Sequence, residues 1–201
     1  MTLENFHQYI LESDSSQKQL LFVQKFIFHG VPHIFEGREN DYFEFRNRIA
    51  NKFGVGFHEV FIVGSAKLGF SYHKGTVFNY DSDIDVVIVN ERLFEEFYFK
   101  ITDYQYQLDR QYETVDLREL KTYTHFLRYL VKGWMRPDKL PTSFQVNLLK
   151  TEWFDFFESI SYGNSEVGNY KVSAGLFKNY EYLEKYYKRS VEDLYNSLTK
   201  N

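Results

Sequence analysis

The chain has 201 residues, 43% hydrophobic and 26% charged, with 24 basic and 28 acidic side chains and a net charge of -4. That is the size and composition of one soluble domain, too short for two ordinary enzyme domains, and no apolar run approaches the roughly 20 residues that span a bilayer. The acidic balance argues against a surface that grips nucleic acid over its whole extent, with a local basic patch left open, and the absence of cysteine removes disulfides and thiolate metal sites and fits the cytosol.

The first residues, MTLENFHQYILESDSSQ, contain early acids and no basic stretch leading into an apolar run, so a secretion signal is not expected. Residues 17–28, QKQLLFVQKFIF, are dense in apolar groups and run into Gly30 and Pro32, which predicts a buried helix closed by breakers. DYFEFRNRIANKF follows as a second helix, with Asn40 or Asp41 as its cap and Gly54 as its stop. EVFIVG, ending at Gly64, and DIDVVIV, ending at Val89, are apolar, β-branched runs without polar alternation, and they read as core strands covered on both faces. Asn90, with Glu91 behind it, opens a helical region. Within it, Leu117, Leu120, Thr124, Leu127, Val131 and Trp134 recur at steps of three and four, predicting one long helix over 116–134 with a single apolar stripe. Two prolines in RPDKLP end that helix. Residues 153–160 read as a short helix and NYKVSAGLF as a half-buried strand near 170–177. NYEYLEKYYKRSVEDLYNSL reads as an amphipathic helix carrying Leu183, Tyr187, Val191, Leu194 and Leu198, supported by the pairs Glu181 with Lys185 and Glu184 with Lys188. The expectation is a single α+β domain over 1–201, with N-terminal helices in 1–54, core strands in 55–90, and a mainly helical 91–201. The 17 Tyr, 21 Phe and 2 Trp are spread through nearly every segment, so core filling explains them better than a base-stacking platform.

Asp81, Asp83 and Asp85 crowd the mouth of the second apolar run, where carboxylates repel one another and resist ionisation unless a cation sits between them. Spacing by itself carries no signal: 28 acids in 201 positions predict roughly four acid-x-acid pairs by chance, and four occur. Position does carry one. Residues i and i+2 of a strand face one side with alpha carbons about 6.5 to 7 Å apart, and two carboxylates so placed can share Mg²⁺, which takes oxygen ligands and keeps waters or substrate phosphates. Gly64 and Ser65 directly follow the first run. Glycine lets a ligand approach the backbone and serine adds a hydroxyl, which suits a phosphate oxygen; an ordinary strand-to-turn ending has the same two residues. GSAKLGFS has neither the Gly-Lys-Ser/Thr ending of a Walker motif nor a GxGxxG fingerprint.

Taken in order, an apolar strand, Gly64-Ser65, an intervening segment, and Ser82-Asp83-Ile84-Asp85 on a second apolar strand resemble the signature of the polymerase-beta-like nucleotidyltransferase superfamily. The resemblance covers about residues 55 to 90. GSAKLGFS is also similar to the extended Gly-Ser form of bacterial minimal nucleotidyltransferases, including those paired with HEPN toxins or found in phage-defence loci. The resemblance implies the small mixed sheet of that superfamily's core. It makes Asp83 and Asp85 catalytic ligands of Mg²⁺ (or Mn²⁺) and makes Gly64 and Ser65 nucleotide contacts. Lys67, with His73 and Lys74, would favour a triphosphate electrostatically, or all three are solvated loop residues. Seventeen residues separate Ser65 from Asp83, more than compact members carry, so YHKGTVFNY is expected as an inserted loop.

Active members add a third carboxylate from a later core strand. YKVSAGLF has none, which leaves Asp116 as the substitute, in competition with a helix-capping role. The implied activity is metal-dependent transfer of an NMP from an NTP such as ATP to a hydroxyl of a protein, a nucleotide or an RNA end, with release of pyrophosphate. The implied setting is cytoplasmic antiviral defence or a toxin-antitoxin pair, with a protein partner such as a toxin and no membrane. Two alternatives are a catalytically impaired nucleotide-binding regulator and an antitoxin-type interaction module, and the missing acid favours them.

Overall fold

The computed structural model describes residues 1–111, 114–144 and 152–200. In chain order the elements are α1 (Leu3–Leu11), α2 (Ser16–Phe22, continued by a π-helical stretch over Val23–Phe28), α3 (Glu39–Phe53), β1 (Val60–Val63) and α4 (Gly64–Leu68). The short strands β2 (Phe70–Ser71) and β3 (Thr76–Val77) precede β4 (Ile84–Val89), α5 (Glu91–Asp109) and α6 (Leu117–Leu130). Then come β5 (Trp134–Met135), α7 (Thr142–Phe144), α8 (Asp155–Ser159), β6 (Val172–Phe177) and α9 (Tyr180–Thr199).

The architecture is mixed α+β around a four-stranded sheet of order β1-β4-β6-β5. β4 is antiparallel to β1 and parallel to β6, and β5 is antiparallel to β6. A parallel pair needs a long crossover, which α5 to α8 provide. The two-residue period of the strands then sorts their side chains. Val60, Ile62, Ile84, Val86, Ile88, Val172 and Leu176 enter one core with Phe45 and Ile49 of α3, Phe97 and Ile101 of α5, and Phe126 of α6. Phe61, Val63, Val87, Val89 and Phe177 enter a second core with Phe6 and Ile10 of α1, Phe22 of α2, and Leu183, Tyr187 and Val191 of α9. Coverage of both faces is the reason the strands lack polar alternation. Asp85 and Ser173, opposite each other in the β4–β6 register, break that apolar pattern on the α9 side.

Several local expectations need correction. The α3 N-cap is Arg38, so neither Asn40 nor Asp41 caps the helix; Asp41 instead takes the Arg38 guanidinium at 2.7 Å. YHKGTVFNY is not a plain loop, because Ser71 pairs with Thr76 and Phe70 with Val77 in the β2–β3 hairpin. α6 stops at Leu130, Gly133 turns the chain at φ +67°, and Trp134 and Met135 pair with Phe177 and Leu176 as β5. The buried face of α6 is Tyr123 and Phe126, while Leu117, Leu120 and Val131 are exposed. Tyr123 packs edge-on to Tyr104, which in turn meets Phe144, and aromatic rings bury more apolar area than the aliphatic stripe offers. In α9, Leu183, Tyr187 and Val191 are buried as the period requires. The pairs Glu181 with Lys185 and Glu184 with Lys188 do not form among the described residues; Glu184 accepts from Gln24 at 2.7 Å and Lys188 donates to Ser16. No helix among the described residues is long and apolar enough to cross a membrane.

Candidate functional site

β1 ends where β4 begins, since Val63 lies opposite Asp85. Gly64 therefore lies against the Asp85 side chain, and a Cβ there would stand 2.9 Å from Asp85 Oδ2. Its backbone is also left-handed, at φ +65°. The left-handed backbone favours glycine at this position, and a side chain here would also displace the Asp85 carboxylate. Gly64, Ser65, Asp83 and Asp85 all line one cleft of about 1130 Å³. β4 and β6 form its floor. The β2–β3 hairpin makes one wall, and residues 134–138 with parts of α8 and α9 make the rest.

Charge in this cleft is unevenly balanced. The protein around it, and then the neighbouring Asp83 carboxylate, push the Asp85 pKa up. The Ser173 hydroxyl, which donates to Asp85 Oδ1 at 3.4 Å, and the Arg136 and Lys74 cations pull it down only in part. Arg136 is a bidentate partner of Asp138, at 3.1 and 2.8 Å, and stacks over Trp134 with its guanidinium carbon 5.2 Å from the ring centroid. Lys171 lines the cleft as well. Sequence reasoning missed Arg136 and Lys171 because each is delivered by a strand, β5 or β6, whose place in the sheet is set by long-range pairing.

Two of the expected site residues lie elsewhere. Lys67 is 7% exposed, and its Nζ donates to the carbonyls of His29 and Gly30 at 2.5 and 2.9 Å, tying α4 to the end of the π-helical stretch. Two positions along a helix are roughly 200° apart, so Ser65 and Lys67 look in opposite directions. Burial lowers the Lys67 pKa to about 8. Asp116 caps α6, its Oδ1 accepting from the N–H groups of Arg118 and Glu119 at 2.8 Å each, and it is not part of the cleft. His73 and Lys74 do line the cleft, from the hairpin. Among the described residues no group of three or more His, Asp or Glu side chains is arranged to hold a metal ion. At the mouth of β4 Asp83 and Asp85 stand two residues apart, and Asp81, just before them, lines the same cleft.

No family model matches the chain, and no curated protein or solved structure matches it.

Proposed function

We propose that the chain is a metal-dependent nucleotidyltransferase of the polymerase-beta-like type, moving an NMP from an NTP to a hydroxyl acceptor with release of pyrophosphate. The observation that carries this reading is the convergence of Gly64 and Ser65 with Asp83 and Asp85 in one cleft. Mg²⁺ or Mn²⁺ fits the residues present. Asp83 and Asp85 supply hard oxygen ligands, the charge on Asp85 is incompletely offset by the protein, and glycine at 64 keeps the space beside Oδ2 open. Those two carboxylates would hold the ion, which when bound supplies neutralisation of triphosphate charge. Ser65 offers a hydroxyl to a phosphate oxygen. Lys74 and Lys171 add positive charge along walls that also carry Asp81, Asp155 and Glu158, while Arg136 is paired with Asp138. The cleft exceeds the roughly 300 to 1,000 Å³ of an ordinary small-molecule site, which leaves room for an acceptor beside the nucleotide. The acceptor classes stay those of the resemblance: a protein, a nucleotide or an RNA end. The cytoplasmic defence or toxin-antitoxin setting, with a toxin as partner, rests on the similarity of GSAKLGFS alone.

A second reading, a nucleotide-binding regulator without turnover, is favoured by two observations: Ser173 stands opposite Asp85 on β6, and Asp116 is engaged at the start of α6. The deciding experiment incubates the purified chain with each labelled NTP and Mg²⁺ or Mn²⁺, and follows pyrophosphate and label. Pyrophosphate release that disappears in Asp83→Asn with Asp85→Asn supports the enzyme. Nucleotide binding without pyrophosphate, whatever acceptor is added, supports the regulator. Absence of both binding and release overturns both readings.

A further inference from the structure

The tip of the β2–β3 hairpin meets α9 over the cleft. The Tyr72 hydroxyl lies 3.2 Å from Ser190 Oγ, and Ser190 Oγ lies 3.1 Å from His73 Nε2. Two proton assignments satisfy both contacts, one running from Tyr72 through Ser190 to a bare Nε2 of His73 and one running the other way from an Nε2–H, and only the first, with the ring proton on Nδ1, makes His73 the acceptor of the serine proton. Asp193, three residues beyond Ser190 and so on the same face of α9, acts electrostatically on His73. Tyr72, His73 and Ser190 line the same cleft as Asp83 and Asp85.

A serine hydroxyl within hydrogen-bond reach of an imidazole nitrogen is the pairing of a nucleophile with its general base. The protein around His73 lowers its pKa and Asp193 only partly restores it, which favours the neutral ring that can take a proton. On β6 the residue facing Asp85 is a serine rather than a base. We propose that His73 is the proton acceptor of this cleft and Ser190 the hydroxyl it activates, so that the chain nucleotidylates its own Ser190. The inference rests on the nucleotidyltransferase reading and names its acceptor. Ser190 Oγ attacks the α-phosphorus of the bound NTP. The Oγ–P bond forms as the bridging P–O bond breaks, pyrophosphate leaves with the electron pair, and the serine proton passes to His73 Nε2. The product, a phosphodiester between Ser190 and the nucleoside, occupies the acceptor end of the cleft and limits the reaction to one turnover.

The test incubates the full chain with each of ATP, GTP, CTP and UTP plus Mg²⁺ or Mn²⁺ and reads intact mass and the modified peptide. One NMP per chain on Ser190 is expected, absent in Ser190→Ala and slowed about 100-fold or more in His73→Gln, with the metal–NTP thermal shift kept in both variants. A readout without turnover is nitrogen NMR of the nucleotide-free chain, where His73 should carry its proton on Nδ1 and lose that preference in Ser190→Ala. Label on Tyr72 or any other residue overturns the proposal, as does a His73 protonated on Nε2. A chain that transfers to an added acceptor yet stays unmodified overturns it while leaving the nucleotidyltransferase reading intact. Failure to bind any metal–NTP removes both.

Discussion

Asp85 is exposed to the cleft, yet the protein around it and the neighbouring Asp83 carboxylate push its pKa up, so its charge is incompletely offset in the ligand-free chain. Asp85→Asn should therefore raise the melting temperature of the ligand-free chain at neutral pH while removing its response to Mg²⁺ with NTP. A variant that melts lower without ligand would show that the carboxylate serves the fold rather than a ligand. Lys67 poses the opposite problem, a buried cation whose pKa is lowered to about 8 by desolvation. Below about pH 8 the folded and unfolded chains are both protonated here, and the burial penalty is present in full. Between about 8 and the ordinary 10.5 the unfolded chain holds a proton that the folded chain has lost, so this group's contribution to stability rises with pH and levels off above that window. The raised pKa of half-buried Tyr186, about 12, acts with the opposite sign and at higher pH. Urea unfolding at a series of pH values should show the rise in the wild type and a flatter profile in Lys67→Met. Equal profiles would remove Lys67 as the source.

At the scale of elements, Asp116 separates a capping role from a catalytic one. Its Oδ1 receives two α6 N–H groups, so Asp116→Asn should be close to neutral, and Asp116→Ala should cost about 1 kcal/mol in urea unfolding with nucleotide transfer unchanged. Loss of transfer in Asp116→Asn at unchanged stability would return the residue to the catalytic site. The contrast between α9 and α6 shows what the sequence can specify. The spacing of Leu183, Tyr187 and Val191 picked out the buried face of α9 because one apolar stripe had no competitor. In α6 an aliphatic and an aromatic stripe competed, and the neighbours Tyr104 and Phe144 decided for Tyr123 and Phe126. β5 is two residues long, too short for any period, and its identity comes from pairing with Phe177 and Leu176. The candidate site divides the same way. Gly64, Ser65, Asp83 and Asp85 were legible because each adjoins a strand end. Ser173, Arg136 and the contact between His73 and Ser190 depend on which strand or helix comes to lie beside which.

For the whole molecule, the cleft is assembled from residues 63–65, the hairpin, the start of β4, the turn after β5, α8, β6 and α9, so its walls come from most of the chain's length and from both cores. A ligand held there binds only the assembled fold. On the proposed nucleotidyltransferase reading, mass action has metal with NTP stabilise the entire chain: at a ligand concentration 100 times Kd the gain is about 2.7 kcal/mol, or about 5 to 10 °C for a chain of this size. The shift should need both components, because Asp83 and Asp85 repel an uncompensated triphosphate and two carboxylates hold a hydrated ion weakly without phosphate oxygens to complete its shell. Calorimetry or thermal-shift measurements with metal alone, NTP alone and the two together test this directly. A full shift with NTP alone would move the nucleotide away from the carboxylates. A full shift with both components in Asp83→Asn with Asp85→Asn would place the site somewhere other than the mouth of β4.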